Sequence, residues 1–233
     1  MQVKIWSDVR CPFCYIGKKK FEEALEKFPQ KDQVEVEWKS FQLDPSLKTD
    51  TSLSTLDYFV QTKGVSIEQA RQMFSGATQM AREAGIAFNL EESVPANSFM
   101  AHRLIQFAKS KDLGNEIEEA LFKAHFEEAE NIDDINVLIQ VARSIGMNSE
   151  EVENVLKSDA FAYDVKQDEM EARNIGVRGV PFFVFEDKYA ISGAQASEVF
   201  LQNLEKSWEE HLRKNPKLEI SEGDSCSTDG TCN

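Results

Sequence analysis

The sequence predicts an α/β protein: a four-stranded sheet built from an N-terminal βαβ unit and a C-terminal ββα unit, with a large all-helical insertion between them. Three observations carry this expectation. Alternating, strand-like segments at residues 2–6 and 34–41 flank an amphipathic helical segment. Helical periodicity then runs from about residue 53 to residue 174. Strand character returns only at residues 181–191, just ahead of one last apolar helical stripe.

Met1-Gln2-Val3-Lys4-Ile5-Trp6 alternates with the period of a half-buried strand. Cys11 stands where a helix should begin, because Pro12 suits the first helical position, where its missing N–H and fixed φ cost nothing. Phe21, Ala24, Leu25 and Phe28 follow at i, i+3, i+4 and i+7, so residues 12–28 read as an amphipathic helix. The segment from Val34 to Phe41 alternates again and is stopped by Asp44-Pro45. Within the helical block, Ser66-Ile67-Glu68-Gln69 has the form of a capping box. Ala101/Leu104/Ile105/Ala108, Ile117/Ala120/Leu121/Ala124 and Ile135/Leu138/Ile139/Ala142 form three apolar stripes, and Gly64, Gly85, Gly114 and Gly146 punctuate the helices. Pro181 to Phe185 reads as a strand, Glu186-Asp187-Lys188 as a turn and Tyr189-Ala190-Ile191 as a second strand. Leu201, Leu204, Trp208 and Leu212 mark the final helix. Residues 1–50 and 175–214 are thus expected to be two parts of one domain, residues 51–174 an inserted helical domain, and the polar residues 215–233 a flexible tail.

Composition narrows the function. With 41% hydrophobic and 29% charged residues the chain is too apolar for a disordered protein. Its apolar runs, such as Val180 to Phe185, are far too short to span a bilayer. A formal charge of −15 disfavours phosphate backbones and anionic lipid surfaces, so neither nucleic acid nor membrane is expected as a partner. No leader-like segment precedes the first strand, and a cytoplasmic protein is expected. The acidic clusters Glu116/Glu118/Glu119 and Glu127/Glu128/Glu130 read as solvated helix faces.

Four cysteines do not make a disulfide scaffold, and a close pair in a reducing compartment points to catalysis or metal binding. Cys11 at the helix cap and Cys14 one turn on share a face and can approach disulfide distance. The unpaired N–H groups and the positive dipole end of the helix favour a thiolate at Cys11, expected to be exposed there, while Cys14 points inward. That asymmetry suits thiol–disulfide exchange, in which Cys11 attacks and Cys14 resolves the mixed disulfide. Zinc would need two further ligands, from Cys226, Cys232, His102, His125 or His211, and no two histidines stand at ligand spacing. No metal is therefore expected, although a non-catalytic zinc-binding or interaction module, or a pair of inert core cysteines, is an alternative.

Asp8-Val9-Arg10-Cys11-Pro12-Phe13-Cys14-Tyr15-Ile16-Gly17, Gly176-Val177-Arg178-Gly179-Val180-Pro181 and Ile191-Ser192-Gly193-Ala194-Gln195 together resemble the DsbA family of thioredoxin-fold oxidoreductases, and most of all its cytosolic FrnE-like branch. The resemblance covers residues 2 to about 213 and implies a thioredoxin-like fold with a helical insertion. It implies a cis bond at Val180–Pro181 beside the cysteines, with the Val180 backbone pairing with substrate. It also implies that Ser192, Gly193 and Gln195, as well as Asn97 and His102, belong to the substrate region, where the bland alternatives are a turn and an interior histidine. Trp6, Phe13 and Tyr15 either floor a substrate groove or simply pack. Phe13, in place of the histidine of strongly oxidising members, implies a less oxidising couple.

The expected activity is thiol–disulfide exchange on protein or small-molecule disulfides, with no bound cofactor and with glutathione as a thiol co-substrate. The main alternative is a glutathione-dependent isomerase or transferase of the 2-hydroxychromene-2-carboxylate isomerase type, which resembles the same scaffold but uses a lone nucleophile. In the tail, Asp229-Gly230 is a turn dipeptide that would let Cys226 and Cys232 meet, and this pair is expected to relay electrons to Cys11.

Overall fold

The computed structural model describes residues 1–215, so the expected relay cysteines Cys226 and Cys232 lie outside the described residues. The chain runs β1 (Gln2–Ser7), α1 (Pro12–Lys27), a 3₁₀ turn (Lys31–Gln33) and β2 (Glu35–Ser40). It continues through α2 (Thr55–Lys63), α3 (Ile67–Glu83), α4 (Phe99–Lys109), α5 (Gly114–Phe126), α6 (Ile135–Ser144), α7 (Ser149–Leu156) and α8 (Ala162–Asn174). It closes with β3 (Phe182–Phe185), β4 (Tyr189–Ser192) and α9 (Ser197–Lys214).

The strands order as β2-β1-β3-β4. β1 pairs in parallel with β2, placing Ile5 opposite Trp38, and antiparallel with β3, placing Ile5 opposite Phe183. The parallel pair needs a crossover, which α1 supplies. Strand residues alternate between faces. Val3, Ile5, Phe183 and Phe185 therefore face α1 and α9, where they join Phe21, Ala24, Phe200 and Leu204 in one cluster. Phe183 and Phe200 meet edge to face with centroids 4.6 Å apart, a pairing worth about 1 kcal/mol beyond burial. Trp6 and Val184 point the other way, toward Ala172 of α8, and the Trp6 indole N–H donates to the Asp168 carbonyl at 3.0 Å.

The helical block is less continuous than its periodicity suggests. The capping box forms as its spacing predicts, with the Ser66 hydroxyl accepting from the Gln69 N–H and the Gln69 side chain accepting from the Ser66 N–H. After α3, however, residues 84–98 leave the helix, because Gly85 takes φ +76° and Pro95 follows. α4 is the hub of the block and packs against α5, α6, α7 and α8. Its Arg103 guanidinium donates to the carbonyls of Val155, Leu156, Ser158 and Ala160, satisfying the end of α7.

Val9, Cys11, Cys14, Tyr15 and Ile16 share one core with Leu104, Ile105, Leu121 and Phe122 of this block. The cysteine pair thus sits on the seam between sheet and helices. Among the described residues no helix is long and apolar enough to cross a membrane.

Candidate active site

The turn from Asp8 to Cys11 delivers the first cysteine to the start of α1. The Cys11 N–H donates to the Asp8 carbonyl at 2.8 Å, and the Asp8 carboxylate accepts from the Arg10 N–H at 3.1 Å. Its second oxygen accepts from the Leu43 N–H at 2.8 Å, tying this turn to the loop after β2. Cys11 is the extended N-cap residue and Pro12 the first helical one, so no side chain caps the free N–H groups. Cys11 and Cys14 are both free thiols. Cys11 is only 4% exposed, which corrects the expected open helix end: helix and cover share one core there. Its thiol donates toward the Val180 carbonyl at 3.5 Å. Cys14 is 1% exposed, and burial first, then the adjacent Cys11 sulfur, push its thiol well above the usual cysteine range.

The Val180–Pro181 bond is cis, and the Pro181 ring lies against α1. Gly17 makes this approach possible: a Cβ there would stand 3.0 Å from Pro181 Cγ and 3.4 Å from Phe183 Cζ. Nothing in the sequence alone marks Gly17 for this contact. A Gly→Ala change inside a helix ordinarily stabilises by about 1 kcal/mol, whereas overpacking costs about 1–3 kcal/mol. Gly17→Ala is expected to give no gain in urea unfolding, and Gly17→Val a loss of about 2–3 kcal/mol. A clear rise in midpoint for the alanine variant would show the contact to be slack.

Next to the cysteine turn lies a buried charge cluster in which His102 is interior, as the bland alternative had it, while the burial of Asp8 and Glu118 has no signal in the sequence. His102 Nε2 stands 3.5 Å from Asp8 Oδ1 with both side chains fully buried, and neither ring nitrogen makes a well-formed hydrogen bond. Burial works against charge on both groups, but their mutual contact prevails: Asp8 is held below the usual carboxylate range and His102 is raised. Glu118, 1% exposed, is pushed up to about 7 by burial. Lys18, also buried, pairs with Glu119 at 2.9 Å and with Glu22. The Tyr15 hydroxyl bridges Glu119 (3.0 Å) and Glu127 (2.8 Å). The acidic clusters are therefore not simply solvated faces. α5 buries Ile117, Leu121 and Ala124 of the expected stripe, with Ala120 half-buried, and also turns Glu118, Phe122, His125 and Phe126 inward, because the helix packs against both α4 and α6. Burial lowers His125 to about 4, so it is neutral at physiological pH.

The other expected site residues divide. Trp6 and Tyr15 are packed inside, Tyr15 stacking on Phe122 at 5.0 Å, whereas Phe13 is 42% exposed beside Cys11. The Gly193 N–H donates to the Pro181 carbonyl at 2.8 Å and the Gln195 N–H to the Gly193 carbonyl at 3.1 Å. The Gln195 side chain donates to the Ser192 carbonyl. These three residues thus form a turn that anchors the Pro181 loop, with both amides occupied. Asn97 joins the loops around it, donating to the Leu47 carbonyl at 2.8 Å and accepting from the Phe99 N–H and from Gln42.

Comparison with known proteins agrees with this geometry. A model of the DSBA-like thioredoxin domain matches residues 2–205. The Bacillus subtilis protein YwbO is 30% identical over 204 residues, covering 86% of this chain and 94% of that protein. The crystal structure of a "probable DsbA oxidoreductase" from Streptomyces coelicolor superposes with a TM-score of 0.85 at 35% identity, covering 100% of this chain and 98% of that one. The cytosolic disulfide reductase DsbM of Pseudomonas aeruginosa, solved with GSH, shares the fold at a TM-score of 0.63 and 14% identity, over 90% and 100% of the two chains. With its mixed four-stranded sheet, its cysteine pair at the start of α1 and a family match across nearly the whole described length, the chain belongs to the DsbA-like thioredoxin-fold oxidoreductase family.

Proposed function

We propose that this protein is a thiol–disulfide oxidoreductase of the FrnE-like branch, acting on protein or small-molecule disulfides through Cys11 and Cys14. The observation that carries this reading is the asymmetry of the pair: both sulfurs are buried, but Cys11 caps α1 beside the Val180 carbonyl, while Cys14 lies one turn further in, where burial and the Cys11 sulfur hold it as a thiol. In the reducing direction the Cys11 thiolate attacks a substrate disulfide, forming the Cys11–substrate bond and releasing one substrate thiol. Cys14 then attacks Cys11, forming the intramolecular disulfide and releasing the second thiol. Two electrons pass from the dithiol to the substrate. The first helical turn leaves its N–H groups without a side-chain cap beside Cys11. Exposed Phe13 is the proposed apolar contact to the substrate, and the Val180 backbone the proposed partner of a substrate strand, a role supported by its carbonyl lying 3.5 Å from the Cys11 sulfur.

No resident cofactor enters this chemistry; glutathione is the proposed thiol co-substrate that restores the dithiol. Phe13 contributes no charge or hydrogen bond to Cys11, which supports a couple poised for the cytoplasm. Equilibration in glutathione buffers, with thiols counted by mass spectrometry, tests the reading. The expected result is one two-electron Cys11–Cys14 disulfide with a potential more reducing than about −120 mV, the value of the strongly oxidising DsbA. A protein whose cysteines never pair in oxidising buffer would remove it.

A further inference from the structure

The resolving step poses a physical problem that Cys11 does not solve. Cys14 must attack as a thiolate, yet it is 1% exposed in an apolar core with Tyr15, Ile16 and Leu104 around it. Something must stabilise charge on that sulfur while it is formed. The groups around it are few. Cys11 and the Asp8 backbone N–H face it from the turn, and Ser7 faces it from β1. The Asp8 carboxylate is turned away, engaged by Arg10, Leu43 and His102.

Ser7 is the unexplained member. Strand alternation puts it on the same face of β1 as Val3 and Ile5, the face that α1 covers. Its side chain is 0% exposed, and its hydroxyl lies within reach of the Cys14 sulfur but makes no well-formed hydrogen bond in the reduced protein. Its backbone is already committed, the carbonyl accepting from the Phe41 N–H at 3.0 Å, so the hydroxyl is the only polar group it has left. A buried hydroxyl without a partner is costly, and a leucine-like neighbour would be cheaper at the end of a core strand. Such an orphan next to a thiol that must ionise acquires a partner at the moment of reaction.

We propose that Ser7 is a catalytic residue of the resolving step, its hydroxyl donating a hydrogen bond to the Cys14 thiolate as that thiolate attacks the Cys11–substrate disulfide. The proposal rests on the reading that Cys14 resolves a mixed disulfide at Cys11. In the step, the Cys14–Cys11 bond forms and the Cys11–substrate sulfur bond breaks. The leaving substrate thiolate takes up the proton that Cys14 gave up, and Ser7 keeps its own. The Asp8 N–H supplies the second donor, so the sulfur is cradled from the strand end and the turn together.

Two measurements on Ser7→Ala test this. In a Cys11→Ser background, where Cys14 is the sole thiol of the pair, the pH profile of Cys14 alkylation is expected to move up by about one unit, the size of one hydrogen bond to a charged group. With both cysteines present, release of a preformed Cys11–glutathione mixed disulfide is expected to slow about three- to fourfold at pH 7. The tenfold loss of thiolate is partly offset by the greater nucleophilicity of a more basic sulfur. A merely structural serine would behave otherwise: deleting an unpartnered buried hydroxyl leaves thermal stability equal or higher and moves neither readout. An unshifted alkylation profile therefore overturns the proposal. The titration needs no turnover, so a protein that exchanged no disulfides would lose the functional reading while the Ser7 result still stood or fell on its own.

Discussion

Replacing Cys11 by serine is expected to bring disulfide exchange down to the uncatalysed background, while replacing Cys14 is expected to leave the first half of the reaction intact. A serine hydroxyl is not ionised near neutral pH and cannot accept a place in a disulfide, so Cys11→Ser removes both the nucleophile and the covalent intermediate. Cys14→Ser keeps the attack but deletes the group that ends it. The protein should then accumulate a mixed disulfide with substrate in a one-to-one ratio, visible by mass spectrometry and dissolved by an added thiol. The two variants should differ in alkylation as well. Cys11 sits at the helix cap with its sulfur beside the Val180 carbonyl, while burial holds Cys14 in its thiol form. In the wild-type dithiol, iodoacetamide at neutral pH should therefore mark Cys11 first. If Cys14 proves to be the faster thiol, the division of labour is reversed and the argument from the helix end is lost.

The sheet, the crossover helix and the cysteine pair were legible because each is written in local signals. Period-2 alternation marks β1 and β2, Pro12 marks the helix start, and the spacing of Cys11 and Cys14 places both sulfurs on one face. The polar interior under the site was not legible, for a physical reason. Glu118 stands among Glu116 and Glu119 in a run that periodicity assigns to water, and only the packing of α5 against α4 and α6 turns it inward. Likewise Asp8 looks like an ordinary turn residue, and its partners Leu43 and His102 lie 35 and 94 positions away. Long-range pairing of buried charges leaves no local trace. Burial of Cys11 leaves no local trace either, since Val180, whose carbonyl meets its sulfur, lies 169 positions away. Gly17 had a signal, a glycine inside an amphipathic helix, which is costly unless something needs the space, but nothing local names Pro181 as what fills it.

Glu118 carries the largest expected effect on stability, and its sign follows from its environment. The side chain is 1% exposed and its Oε2 has no hydrogen-bond partner. Burial raises its pKa to about 7; His102, Lys18 and Lys109 pull it down and Asp8 pushes it up, but burial prevails. In the unfolded chain the group titrates at its ordinary value of 4.5. Below that pH the carboxyl is protonated in both states and costs nothing. Between 4.5 and about 7 the unfolded chain releases the proton while the folded protein retains it, so stability falls as pH rises. Above 7 the loss is complete, at about 3 kcal/mol for a shift of this size. Glutamine copies the protonated carboxyl and does not titrate. Glu118→Gln is therefore expected to match the wild type near pH 4 and to exceed it by up to about 3 kcal/mol at pH 8. His102 faces Glu118 and titrates in the same direction, its raised pKa giving stability at low pH that is lost as pH rises, so the wild type should slope downward for both groups and the variant for His102 alone. Urea unfolding at pH 4, 6 and 8 reads the difference directly. Parallel curves for the two proteins would mean that Glu118 is already ionised when folded, its charge balanced by Lys18 and Lys109.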